Sequence, residues 1–154
     1  MDDGRNLFVY GTLMSFAVGS YGAVQRARLQ REARLLGPAK VYGRLYDLGD
    51  FPGVVLEDET SSIVHGELVH LDDAEAALAW LDRYEEISPG GSPSDLYRRV
   101  RTMATLAGGE PIACWVYELQ GPTNGFKLLP EGVWQSPSQD EGGARGHAVA
   151  GSAD

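Results

Sequence analysis

An acidic residue lies on the apolar face of the helix that we predict over residues 71–86. At about 100° per residue, this face contains Ala74, Ala77, Leu78, Leu81 and Glu85. Glu86 lies off the face, so only Glu85 of these two neighbouring acids is directed toward the core. An unpaired carboxylate costs several kcal/mol to bury, so such a group accepts hydrogen bonds or binds a proton with a raised pKa. Glu85 is therefore a candidate for proton chemistry, unless the last turn frays and leaves it in solvent.

A short apolar strand ends at a glycine near the N-terminus. Residues 7–10 form this predicted strand, and Gly11 stops it. Glycine allows successive backbone N–H groups, here those of Gly11, Thr12 and Leu13, to point into one concavity that binds a carboxylate or another anion. A Tyr-Gly turn is more often purely structural, so this pattern indicates a site only if a second element supplies a partner.

A second predicted strand contains two adjacent arginines. Alternation places Tyr97 and Arg99 on one face of the strand and Arg98 on the other. An inward arginine can hold a buried carboxylate or the acid of a ligand, although a solvated charge at a strand edge is the commoner role. Residues 51–53, Phe-Pro-Gly, lie between two predicted strands and form either a pocket wall or a plain turn.

The remaining pattern predicts few helices and many short strands. Residues 24–36 contain good helix formers and precede Gly37-Pro38, so we predict a helix there. The other predicted strands are residues 41–48, 54–57, 63–71, 98–106 and 112–119, the last two forming a hairpin. This order favours an α+β fold in which a mixed sheet curls toward a barrel. Residues 5–134 are predicted to be one ordered domain, and residues 135–154 a disordered tail.

Composition narrows the classes of partner and chemistry. Thirteen basic against 22 acidic residues give a net charge of -9, which disfavours nucleic acid and anionic membrane as partners. The single cysteine, Cys114, and the lack of a long apolar run indicate a cytoplasmic protein. The histidines have no metal-ligand spacing, so we predict no metal site. Phosphate-loop and nucleophile motifs are also missing, which leaves an enzyme or binding module for a small ligand.

Five sequence blocks together resemble the gamma-glutamylcyclotransferase-like family and occur in the same order. They are Phe8-Val9-Tyr10-Gly11-Thr12-Leu13, Gly43-Arg44-Leu45-Tyr46 with Phe51-Pro52-Gly53-Val54-Val55, Val64-His65-Gly66-Glu67-Leu68, Leu81-Asp82-Arg83-Tyr84-Glu85, and Tyr97-Arg98-Arg99. The resemblance implies a small mixed β-barrel with flanking helices. It also implies that the Tyr-Gly-Thr-Leu loop binds a γ-glutamyl group and that the glutamate of the family is Glu85.

The reaction implied by the resemblance is intramolecular and requires no cofactor. The α-amine of a γ-glutamyl amine or γ-glutamyl amino acid attacks its own γ-carbonyl and releases 5-oxoproline. Glu85 would act as general acid/base, and the amides of residues 11–13 would hold the α-carboxylate of the substrate. Tyr10 and Tyr117 are candidate pocket hydroxyls.

Two residues beside the predicted pocket depart from the family pattern. Glu86 stands where many relatives have glycine, and Gly53 replaces the commoner alanine, so the leaving-group preference stays open. A second interpretation, of a different class, is a non-catalytic small-molecule binding or interaction module that retains the same pocket. The Pro- and Gly-rich residues 88–94 would form a lid over the substrate if the protein is an enzyme, and a contact surface for a partner if it is a binding or interaction module.

Overall fold

Seven strands and two helices form the part of the chain that the structure, a computed structural model, describes: residues 4–11, 13–14, 22–58 and 62–134. The strands, named β1 to β7, are Asn6–Val9, Ala33–Asp47, Pro52–Leu56, Ile63–Leu71, Tyr97–Leu106, Pro111–Leu119 and Lys127–Leu129. The helices are α1, Ala23–Glu32, and α2, Ala74–Tyr84. The predicted tail, residues 135–154, lies outside the described residues.

Five of the strands close into a mixed barrel in the order β1, β4, β2, β3, β6 and back to β1. The contacts β1–β4, β4–β2 and β2–β3 are antiparallel, whereas β3–β6 and β6–β1 are parallel. Strand β5 forms an antiparallel hairpin with β6, and β7 pairs with β2. The predicted α+β barrel class and the predicted hairpin are therefore confirmed.

One apolar core fills the barrel and continues under α2. Among its members, Leu7, Leu45, Val54, Leu68 and Val116 have no exposed surface. The buried face of α2 contains Ala77, Leu78, Trp80, Leu81 and Tyr84. Each fully buried side chain of this size contributes roughly 1.5–3 kcal/mol through removal from water, so this face holds α2 against the barrel.

The predicted helix over residues 24–36 is wrong beyond Glu32. Residues 33–36 instead open β2, where Ala33 pairs with Leu71 and Leu35 with Val69 of β4. Their helix propensity amounts to a few tenths of a kcal/mol per residue, whereas pairing with β4 satisfies their backbone groups within the barrel wall. Gly37, expected to end a helix, lies at a β-bulge in this strand with φ +138°.

The predicted helix over residues 71–86 is confirmed but shorter. Leu71 belongs to β4, and Asp73 is the N-cap, whose side chain accepts a hydrogen bond from the Ala76 N–H at 3.2 Å. This arrangement satisfies one of the free N–H groups of the first turn. Helix α2 ends at Tyr84, so Glu85 is the C-cap residue rather than a residue of the last helical turn.

Candidate active site

Glu85 is placed by a well-formed helix end. Its N–H still donates to the Leu81 carbonyl at 2.9 Å, as in the helix. Glu86 then adopts a left-handed conformation with φ +59°, its N–H donates to Arg83 O at 3.0 Å, and the Ile87 N–H donates to Asp82 O at 2.9 Å. This pair of bonds defines a Schellman motif, which ends a helix at a fixed point. The last turn is therefore closed rather than frayed.

A cavity opens beside Glu85, between the end of α2 and the loop that follows β1. The cavity is small, with a volume of about 50 Å³. Its lining residues are Phe8, Val9, Tyr10, Gly11, Leu13, Phe51, Pro52, Tyr84, Glu85, Tyr97 and Tyr117. The structure thus brings together the candidates Tyr10, Gly11, Leu13, Glu85 and Tyr117.

The loop after β1 packs tightly against the connection into β3. A Cβ atom on Gly11 would lie 2.7 Å from Pro52 Cδ and 2.8 Å from Pro52 Cγ, closer than real Cβ contacts. Glycine is therefore required for this approach. The Met14 N–H donates to the Gly11 carbonyl at 3.0 Å, which closes a turn around the loop. The candidate Thr12 lies outside the described residues.

Burial raises the pKa of Glu85 from 4.5 to about 8, with the negative charges of Glu86 and Asp82 as the next causes. Burial removes water from the carboxyl group and so disfavours its charged form. A carboxyl group with a pKa near neutrality can both accept and return a proton. The predicted raised pKa therefore agrees with the position of Glu85 in the cavity.

The two tyrosine candidates line the cavity while their hydroxyls bond to protein groups. The Tyr10 hydroxyl donates to the Tyr117 carbonyl at 2.5 Å and accepts from the Val54 N–H at 3.3 Å. The Tyr117 hydroxyl donates to Asp82 Oδ1 at 2.7 Å. Burial is the main cause that raises the pKa of both phenols well above the usual range. The next cause is the Glu85 charge for Tyr10, and the hydrogen bond to Asp82 with its charge for Tyr117, so both phenols remain protonated near neutral pH.

Arg99 holds a carboxylate, as the strand pattern allowed, but the carboxylate is that of Asp82. Arg99 Nε donates to Asp82 Oδ1 at 2.8 Å, and Nη2 donates to Oδ2 at 3.1 Å. Arg98, on the opposite face, pairs with Glu118 at 2.8 Å. Sequence reasoning gave Asp82 no role. Two signals could have indicated it: its place one turn before Glu85, and the presence of Arg99 on the same strand face as Tyr97.

A second cavity adjoins the first, and Glu85 lines both. Its volume is about 300 Å³, and it is lined by Phe51, Tyr84, Glu85, Glu86, Ser94, Asp95, Leu96 and Tyr97. Asp95 fixes the loop that forms the outer wall, because its carboxylate accepts from Ser88 Oγ and from the N–H groups of Ser88 and Ser92. Glu85 therefore lies between two spaces, one against the barrel and one under this loop.

Within the described ranges, no group of His, Cys, Asp and Glu side chains has the arrangement of a metal site. No helix in the same part of the chain combines the length and apolar character needed to cross a membrane.

Comparison with known proteins relates this cavity to a family. The model of the family described as gamma-glutamyl cyclotransferase, AIG2-like, matches residues 7–136. The chain belongs to this family. The matched segment includes the loop after β1, all of α2 with Glu85, and the β5–β6 hairpin. The resemblance noted from the five sequence blocks is thereby confirmed at the level of the family.

Individual relatives give the same result. The gamma-glutamylcyclotransferase family protein YtfP of Escherichia coli K12 is 33% identical over 129 residues, which are 83% of this chain and 94% of YtfP. The solution structure of ytfP from Escherichia coli has a TM-score of 0.53 and 30% identity, covering 84% of this chain and 95% of that one. The crystal structure of an AIG2-like protein from Mus musculus has a TM-score of 0.57 over 87% of this chain and 96% of that one. At 20% identity, it supports the fold alone.

Proposed function

We propose that this protein is a cyclotransferase that releases 5-oxoproline from a γ-glutamyl amine or γ-glutamyl amino acid. The observation that supports this most directly is the position of Glu85, a residue that lines the same cavity as Gly11 and Leu13 and whose pKa is raised to about 8. Membership of the gamma-glutamyl cyclotransferase, AIG2-like family supports this class of reaction.

The reaction needs one group that moves a proton between two nitrogens. The Glu85 carboxylate takes a proton from the α-ammonium of the substrate, and the freed amine attacks the γ-carbonyl carbon to form the five-membered ring. Glu85 then returns the proton to the departing nitrogen as the γ-carbon to nitrogen bond breaks, and the ring nitrogen gives up its second proton, which ends on the released amine. The products are 5-oxoproline and an amine or amino acid. A raised pKa favours both transfers: the protonated form of Glu85 predominates at pH 7, and the carboxylate that acts as the base becomes more populated as the pH approaches 8.

The first cavity would hold the γ-glutamyl group. In this proposal the amides of residues 11–13, Thr12 included, bind the α-carboxylate, and the rings of Tyr10 and Tyr117 form the walls. Folding the substrate into its ring-forming pose can contribute several kcal/mol to the acceleration, because nucleophile and carbonyl belong to one molecule. The departing amine would then lie on the other side of Glu85, in the second cavity.

The test is release of 5-oxoproline from a panel of γ-glutamyl dipeptides, glutathione and γ-glutamyl amines, followed by chromatography with a standard. We expect turnover of at least one member. If no member yields 5-oxoproline above a protein-free control, the cyclotransferase proposal is wrong. A panel member that raises the melting temperature yet stays chemically intact would identify a binding module instead.

The role of Glu85 is tested with Glu85→Gln, which keeps the shape of the side chain but cannot accept the proton. We expect kcat/KM to fall by about 100-fold or more, as for loss of a general acid/base. The matched control is Glu75→Gln, the same substitution at an exposed position in the first turn of α2. Full activity in Glu85→Gln would exclude the assigned role.

A further inference from the structure

The carboxylate of Asp82 accepts three hydrogen bonds from two strands. Arg99 of β5 donates two of them, from Nε at 2.8 Å and from Nη2 at 3.1 Å, and the Tyr117 hydroxyl of β6 donates the third at 2.7 Å. The pair is partly buried, with side-chain exposures of 25% for Arg99 and 28% for Asp82. Bidentate bonds between arginine and a carboxylate restrict orientation more than a single bond does.

The backbone of the same residue belongs to the helix end that places Glu85. The Asp82 carbonyl accepts the Ile87 N–H at 2.9 Å, the bond that closes the Schellman motif around Glu85 and Glu86. Asp82 therefore links this helix end to the β5–β6 hairpin through its side chain. Arg99 is in turn fixed by the ring of Trp115, 4.3 Å from its guanidinium carbon.

We propose that Asp82 is a positioning residue: held by Arg99 and Tyr117, it fixes the end of α2 so that Glu85 meets the reacting nitrogen in the cavity. This inference rests on the proposed cyclotransferase function. Small displacements of a catalytic group have large effects on rate, and these bonds join the helix end to the strand that also lines the cavity.

The negative charge of Asp82 should have a measurable effect on the pKa of Glu85. Glu85 is faced by Asp82, Tyr84 and Glu86 from its own helix end, by Tyr10 from the loop after β1, by Asp95 from the loop beside the second cavity, by Tyr97 from β5 and by Tyr117 from β6. The charges of Glu86 and Asp82 raise the pKa of Glu85, whereas the phenols of Tyr10 and Tyr117 are neutral near pH 7. Removing the Asp82 charge should therefore lower the pKa of Glu85.

The first variant is Asp82→Asn, which preserves volume but removes the charge and turns an amide N–H toward a donor. We expect kcat to fall by about 10- to 100-fold with KM changed far less, because the reacting groups are misplaced rather than unbound. The rise of kcat/KM with pH should also move to lower pH. A residue with only a structural role would lower the melting temperature and leave kcat per folded molecule and the pH profile unchanged. That result would overturn the proposal.

Two matched arginine variants separate a positioning role from general destabilisation. They also test the proposal if Asp82→Asn fails to fold. Arg99→Lys loses the bidentate fork and the planar contact with Trp115, whereas Arg98→Lys changes the adjacent ion pair with Glu118 on the other face. We expect Arg99→Lys to lower kcat at least several-fold and Arg98→Lys to retain it. Equal effects in both variants would contradict the proposal.

Amide resonances of residues 85–87 in two-dimensional NMR provide a readout that needs no turnover. Arg99→Lys should shift them and Arg98→Lys should not, if the Asp82 contact fixes the helix end. If the wild type yields no 5-oxoproline but these resonances respond as expected, the proposed function fails and the positioning of Glu85 stands. If the wild type is active but the resonances and kcat are unaffected by Arg99→Lys, the positioning inference alone fails.

Discussion

Gly11 lies against Pro52 with no room for a side chain between them, since a Cβ on Gly11 would be 2.7 Å from Pro52 Cδ. Both residues line the first cavity, so this contact sets the distance between the loop after β1 and the wall formed by the start of β3. The ring of proline cannot rotate away, in contrast to a flexible side chain.

We therefore expect Gly11→Ala to lower the free energy of unfolding by about 1–3 kcal/mol, the usual range for overpacking, and to reduce activity by displacing the loop. Chemical denaturation measures the first effect. Gly109→Ala is the control, because this exposed glycine has no positive φ and its Cβ would meet no atom closer than Leu106 Cβ at 3.4 Å. Equal losses in the two variants would contradict the assignment of a specific clash at Gly11.

Glu86 occupies a backbone conformation that favours glycine, with φ +59°. Glu86→Gly should relieve about 1–2 kcal/mol of backbone strain. Glycine also has greater freedom in the unfolded chain, which offsets part of this gain, so we expect the free energy of unfolding to rise by about 0.5–1 kcal/mol. Glu86→Ala is the matched variant, because it removes the charge but retains a Cβ. In urea denaturation, only Glu86→Gly should show the stabilisation that comes from relief of the backbone strain.

Both Glu86 variants should also change the pH dependence of turnover. The Glu86 charge raises the pKa of Glu85, so its removal stabilises the Glu85 carboxylate and lowers that pKa from about 8. Because the carboxylate form is the base, the rise of kcat/KM with pH should occur at lower pH in both variants. A pH profile identical to that of the wild type would mean that Glu85 is not the group whose titration limits activity.

Glu85 should make the stability of the wild type fall as pH rises. Its pKa is raised in the folded state, so between pH 4.5 and about 8 the folded chain keeps a proton that the unfolded chain has lost. The contribution of Glu85 to the free energy of unfolding is therefore fully present below pH 4.5. It is lost as the pH rises from 4.5 to about 8, at up to about 1.4 kcal/mol per pH unit. Glu85→Gln should abolish this part of the slope in denaturation curves collected from pH 5 to 8. A slope unchanged in the variant would show that Glu85 titrates normally.

The Tyr10 hydroxyl should contribute to stability rather than to substrate contact. Tyr10→Phe leaves the Val54 N–H and the Tyr117 carbonyl without this partner in a buried region, at an expected cost of about 1–3 kcal/mol. Tyr42→Phe, at an exposed position, should stay within about 0.5 kcal/mol of the wild type. Unchanged stability with a raised KM in Tyr10→Phe would instead assign the hydroxyl to the substrate.

Features that depend on local periodicity could be predicted from the sequence. Helical periodicity indicates Glu85, because residues three and four apart share a helix face, and strand alternation places Arg99 on the opposite face from Arg98. Both positions follow from backbone geometry within a single element. The order of the five sequence blocks then indicated the family, which the comparisons confirmed.

Features that depend on distant partners could not be predicted in this way. Residues 33–36 have helix propensity but form a strand, because β4 supplies their hydrogen-bond partners from more than 30 residues away. The role of Asp82 needs Arg99 and Tyr117, at separations of 17 and 35 residues along the chain. No helical periodicity identifies such partners, since they meet Asp82 only when the hairpin packs beside α2.

The barrel closes through few backbone pairs near the first cavity. Val54 pairs with Glu118 between β3 and β6, and Leu7 pairs with Trp115 between β6 and β1. The Tyr10 hydroxyl supplements this closure, since it bonds to β3 at Val54 and to β6 at Tyr117. Changes that enlarge the first cavity would therefore also weaken the barrel. Divergence in substrate choice between relatives should then accumulate in the loop over the second cavity, where the wall can vary in length and composition without breaking the sheet.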